Sequence, residues 1–138
     1  MRRGIKASKR SLIFSLVFLF VVVPSLSAQD EGRITRRIQF ARGRTMATLK
    51  GQIKKNQEII YLLRANKGQT LAVRVAAAST PNHDVVFTIK GPGNASLMEE
   101  GDLNTEWSGQ LPATGDYQIS LGMIESEFSN YTLEVSVR

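Results

Sequence analysis

The sequence predicts an all-β fold: a single antiparallel β-sandwich, jelly-roll-like, of about eight strands. Two observations carry that expectation. From Ile34 to Val137 the apolar side chains recur at every second position, the period of a half-buried strand. Glycine, proline and asparagine interrupt those runs at near-regular intervals, as at Lys67-Gly68, Gly91-Pro92-Gly93-Asn94 and Pro112-Ala113-Thr114-Gly115. The chain also has no cysteine, so its apolar core must carry the stability that small secreted domains often draw from disulfides.

The elements follow in order. Residues 1–28 read as a secretory signal. Five bases in the first ten residues precede an apolar run from Leu12 to Val23, broken only by Ser15. Pro24 ends the run, and Ser25-Leu26-Ser27-Ala28 supplies small residues for cleavage. The run is shorter than the roughly 18 residues that a spanning helix needs. Residues 29–33 form a short polar start, and residues 34–138 the sandwich.

Within that domain Ile34, Ile38 and Phe40 mark one face of a first strand, and Ala41-Arg42-Gly43-Arg44 a turn. Ala47, Leu49, Gly51 and Ile53 line a second strand. Glu58–Ala65 is ambiguous, because Ile59, Ile60, Leu62 and Leu63 also suit a helical stripe. A tight turn at Asn66–Gln69 and the clean alternation of Leu71, Val73 and Val75 favour a strand, joined to the next as a hairpin. Ser79–His83 reads as a loop broken by Pro81. Val85, Phe87 and Ile89 form the next buried row, and Ser96–Asn104 is acidic and irregular. Thr105–Leu111 returns to strand with Trp107. Tyr117, Ile119 and Leu121 follow; after a loop at Gly122–Ser129, Tyr131, Leu133, Val135 and Val137 close the domain.

The formal net charge is +6, and removal of the signal's five bases leaves +1. The basic balance therefore gives no reason to expect a nucleic-acid partner. What remains is uneven: residues 29–74 carry eleven bases and three acids, residues 75–138 two bases and nine acids. Strands from the two halves that pair would neutralise one another; failing that, a bipolar surface would orient a partner during encounter.

Nothing in the sequence assembles into a catalytic site. His83 is the sole histidine, and a triad or zinc centre needs partners for it. Ser108 in Trp107-Ser108-Gly109 lacks the preceding glycine of a nucleophile elbow. No lysine or helix start follows Gly91-Pro92-Gly93, so it is not a phosphate loop. Glu99, Glu100, Asp102 and Glu106 offer hard oxygens, but their spacing fits no calcium loop and suits a solvated loop. Asn94-Ala95-Ser96 and Asn130-Tyr131-Thr132 match the glycosylation pattern. The expectation is a non-enzyme with no cofactor, no metal and no small-molecule substrate.

Four blocks of sequence carry a family resemblance. They are Phe40–Gly43 with Ala47–Gly51, Tyr61–Leu71, Trp107–Tyr117 and Asn130–Val135. Taken in order and spacing, they resemble the periplasmic inhibitors of goose-type lysozyme. The second and third blocks also resemble the broader bacterial pre-peptidase C-terminal domains, which are β-sandwiches. The resemblance implies an envelope protein, periplasmic or secreted, that blocks a goose-type lysozyme's cleft with rigid loops. It places candidate contacts in the loop before the last strand, at Met123, Ile124, Glu125 and Phe128, with Tyr61 in addition. In that family the loop is basic; here Gly122–Phe128 holds two acids and no base, so no arginine contact carries over. The other reading is a stand-alone binding module for an envelope glycan or protein.

Overall fold

The computed structural model describes residues 32–77, 84–99 and 101–138. The expected signal at 1–28 and the loop at Ser79–His83 lie outside them. Eight strands follow in chain order: β1 Arg33–Arg37, β2 Met46–Lys54, β3 Glu58–Ala65, β4 Thr70–Ala77, β5 Val85–Lys90, β6 Glu106–Gln110, β7 Gly115–Met123 and β8 Phe128–Val137. They form two four-stranded sheets, β1-β3-β7-β5 and β2-β8-β4-β6. The sandwich is as the alternation predicts, with every pairing antiparallel except β1 with β3, which is parallel.

Each connection along the chain passes from one sheet to the other, the jelly-roll manner of building a double sheet. One expectation fails on this point. β3 and β4 are both strands, but they are not a hairpin; they lie in opposite sheets. The turn between them is an arch, with Gly68 at φ 89° and its N–H bonded to the Leu111 carbonyl at 2.9 Å. Alternation fixes which side chains of a strand face inward, not which sheet the strand joins, so the two cases look alike in sequence.

The core is the space between the sheets. Ile59, Tyr61 and Leu63 of β3, Tyr117, Ile119 and Leu121 of β7, and Val85, Phe87 and Ile89 of β5 face Tyr131, Leu133 and Val135 of β8 and Leu71, Val73 and Val75 of β4. β3 is apolar on its outer face as well. Ile60 is buried there between Thr35 and Ser120, and Leu62 lies between Arg37 and Gln118. Arg37 reaches across that face from β1 to Asp116 on β7, at 3.4 Å, which lays its aliphatic stem over β3. Two-sided burial explains why this segment imitates a helical stripe.

Two tyrosines join the sheets at the centre. The hydroxyls of Tyr61 and Tyr131 are 2.7 Å apart, and both residues are buried. Burial first, then the hydrogen bond with Tyr61, push the Tyr131 hydroxyl well above the ordinary phenol range, so it stays neutral. Gly51 is opposite Tyr131 on β2, and a Cβ there would come within 2.6 Å of the Tyr131 hydroxyl. Only glycine leaves room for the ring at that register.

The tyrosine pair gives a testable expectation. Tyr61→Phe leaves the buried Tyr131 hydroxyl unpaired and lowers stability by about 1–3 kcal/mol. Tyr61→Phe with Tyr131→Phe costs less than the sum of the singles, because no orphan hydroxyl remains. Denaturant unfolding of the four proteins measures the coupling; strict additivity would contradict it.

Candidate functional site

One end of the sandwich gathers three connections. The β2–β3 turn runs from Lys54 to Gln57, the β7–β8 connection from Ile124 to Glu127, and Asp84 stands immediately before β5. Asp84 organises this end. Its Oδ1 accepts the backbone N–H groups of Glu125 at 3.1 Å and Ser126 at 3.2 Å, and its carbonyl accepts that of Ile124 at 3.0 Å. Three consecutive amides of the connection are thus held by one residue, itself only 7% exposed.

The Ser126 side chain, then the amides of Glu125 and Ser126, hold the Asp84 carboxyl below the usual carboxylate range against the opposing effect of burial. The buried Oδ2 has no hydrogen-bond partner among the described residues, so Oδ1 alone accepts the two amides. From the other side, Lys55 donates its backbone N–H to the Glu127 carbonyl at 2.9 Å, and its Nζ lies 3.2 Å from the Glu127 carboxylate. The connection is braced on both flanks. From it Ile124, 42% exposed, and Phe128, 57% exposed, project into solvent with Glu125 between them.

The structure therefore brings Ile124, Glu125 and Phe128 to one surface. Met123 is half-buried against the core beside them. Tyr61 is not at that surface. It points between the sheets, 2% exposed, because it occupies an inward position of β3 and its hydroxyl is committed to Tyr131. Sequence reading passed over Asp84 and Lys55, whose bonds to the connection span 41 and 72 positions. The only local hint is an aspartate directly before a buried strand, which resembles any turn residue.

Elsewhere the chemistry is sparse. Glu99, Asp102 and Glu106 are exposed, and among the described residues no group of three or more acids or histidines converges as a metal site. His83 lies outside the described residues. Trp107 is half-buried against the core. A groove of about 540 Å³ crosses the outer face of the second sheet over Ala72, Ser108 and Ser136. No helix among the described residues is long and apolar enough to cross a membrane.

Solved structures share this architecture. PliG of Aeromonas hydrophila, a periplasmic inhibitor of g-type lysozyme, superposes with a TM-score of 0.66 and 30% identity, over 77% of this chain and 97% of that one. The chain belongs to the family of periplasmic inhibitors of g-type lysozyme. PliG of Salmonella Typhimurium matches at TM-score 0.59 and 23% identity, over 76% of this chain and 98% of that one. The pre-peptidase C-terminal domain of a Bacillus anthracis collagenase shares the fold at TM-score 0.52 and 11% identity, over 77% of this chain and 94% of that one. No family model and no curated protein matches the chain. Membership in a family of inhibitors agrees with the reading of a non-enzyme, and the two sandwich families named from the sequence blocks are both represented.

The clamp on the connection makes its order depend on pH. Because the folded-state pKa of Asp84 is lowered, its contribution is complete above the ordinary carboxylate value, near 3.9, and is lost as pH falls through the lowered value. Asp84→Asn keeps the shape but weakens acceptance of the amides, and removes this part of the acid dependence. Melting temperature followed from about pH 5 to pH 2 should flatten in Asp84→Asn relative to the parent. Parallel curves would contradict the clamp.

Proposed function

We propose that this protein is exported by its N-terminal segment, residues 1–28, and in the periplasm inhibits a g-type lysozyme by seating its β7–β8 connection in the enzyme's cleft. The observation that carries this reading is the braced connection of a chain in the inhibitor family. A loop fixed before binding loses little conformational freedom on docking, and that favours tight inhibition. Ile124 and Phe128 are the apolar anchors of the contact, Glu125 lies between them, and Met123 supports them from below. Tyr61 acts through the core and not by contact.

The acids of the connection set how it docks. Glu127 has Lys55 at 3.2 Å, an exposed pair that answers its charge only in part. Glu125 has no basic partner within salt-bridge distance among the described residues. A like charge opposite it would be repulsive, so it faces away from the enzyme's catalytic carboxylate, toward donors on the cleft wall.

Purified protein added to goose-type, chicken-type and invertebrate-type lysozymes should suppress lysis by the goose-type enzyme alone. Ile124→Ala and Phe128→Ala should each weaken inhibition about tenfold or more, the usual loss for a central apolar anchor, with melting temperature unchanged. Unimpaired lysis at every concentration would overturn the proposal and leave an envelope-binding module. Full inhibition by both variants would move the contact elsewhere.

A further inference from the structure

The side of the sandwich bounded by the edge strands β1 and β2 carries a chemistry that the proposed lysozyme contact uses only at Phe128. Residues 33–57 contain eight bases and no acid. Three of them are paired: Arg33 with Glu58 at 2.9 Å, Arg37 with Asp116 at 3.4 Å and Lys55 with Glu127 at 3.2 Å. Arg36, Arg42, Arg44, Lys50 and Lys54 are exposed and have no ion pair among the described residues. The exposed acids Glu99, Asp102 and Glu106 lie toward the opposite side, on β6 and the segment that runs along β5 before it, while Glu134 on β8, across from Thr48, is an exposed acid beside β2. Pairing between the halves of the chain is therefore partial: Arg74 is flanked by Glu106 and Glu134, and the bases without a partner are in excess on the β1 and β2 side.

Lysines on an edge strand also keep that edge from pairing with other chains. Edge protection accounts for Lys50 and Lys54, but not for large apolar side chains left in water beside them. Met46 is 55% exposed and Phe128 57% exposed. Alternation along β2 puts Met46, Lys50 and Lys54 on one face, and Phe128 is the cross-strand partner of Lys54. Bases thus lie between two apolar ends along eight residues of strand, roughly 26 Å at the usual rise. That length exceeds a small ligand. A soluble polyanion would satisfy the bases and leave both apolar ends in water. An anionic bilayer satisfies both, with headgroup phosphates for the bases and the interfacial layer for Met46 and Phe128.

We propose that the β2 edge docks the protein on an anionic phospholipid surface, lying on the membrane and not crossing it. Docking there leaves the β7–β8 connection at the end of the sandwich, with Phe128 where the two surfaces meet. The proposal does not depend on lysozyme inhibition; it shares Phe128 with the proposed lysozyme contact, so its test uses Arg44, Met46 and Lys50, which that contact does not include.

The experiment is co-sedimentation of the protein, as recovered from expressing cells, with vesicles of phosphatidylglycerol mixed with phosphatidylcholine and with phosphatidylcholine alone. Binding is expected to the anionic vesicles only, and it should be lost in high salt. Arg44→Gln with Lys50→Gln should weaken it by about tenfold or more, since each base near an anionic surface contributes severalfold. Met46→Ser should weaken vesicle binding and leave the affinity for soluble polyphosphate unchanged. Thermal melts confirm that the variants are folded, and Met46→Ser alone carries the test if the double variant is not. Absence of binding to the anionic vesicles overturns the proposal. So does full binding by Met46→Ser with polyphosphate as an effective competitor, which would mark a site for a soluble polymer.

Discussion

Contact between the two sheets is the constraint on which the rest of the structure depends. Every connection crosses from one sheet to the other, so no strand can first pair with its neighbour in sequence and later dock as a finished hairpin. The sheets form only as they meet, through pairings such as β2 with β8 and β3 with β7 that join distant parts of the chain. Loop-closure entropy is met before the contacts that reward it, which makes such a topology slow to fold. With no cysteine to shorten those loops, the interleaved aliphatic rows and the Tyr61–Tyr131 contact hold the interior together.

The sequence was most legible where a residue's environment follows from its neighbours. Val85, Phe87 and Ile89, or Tyr117, Ile119 and Leu121, declare an inward face because nothing but alternation is needed to place them. It was least legible where partners are remote. The Asn66–Gln69 turn has the chemistry of a hairpin and also of an arch; the choice rests on Gly68 bonding to Leu111 and Lys67 to Thr114, over forty positions away. The parallel pairing of β1 with β3 is likewise invisible locally, since it depends on where the chain returns after β2.

The candidate site divides in the same way. Exposure of Ile124 and Glu125 could be read from their place in a loop between two strong strands; the expected loop at Gly122–Ser129 is shorter, since β7 runs to Met123 and β8 begins at Phe128, whose exposure comes from an outward strand position. The rigidity of that loop could not, because it comes from Asp84 and Lys55 on other connections. Tyr61 shows the converse error. A tyrosine in a recognisable block looks like a contact residue, yet an inward strand position commits it to the core.

The two ends of the sandwich now have different meanings. At one end the blocks Tyr61–Leu71 and Trp107–Tyr117 meet. Leu111 exchanges backbone hydrogen bonds with Gly68 and Gln69, and the Tyr117 hydroxyl donates to the Ala113 carbonyl at 2.5 Å. A tyrosine bonded back to the chain a few residues upstream is a corner-forming device of β-sandwiches. Those bonds close the fold, so blocks of this kind suit the β-sandwich domain of a collagenase as well as an inhibitor. At the other end the same framework supplies only an anchor, Asp84, and a brace, Lys55. Ile124, Glu125 and Glu127 can vary without cost to the core, because their side chains are exposed. Where the resemblance implies a basic connection this chain has an acidic one, and on the proposed function that changes the docking chemistry while the support beneath it stays the same.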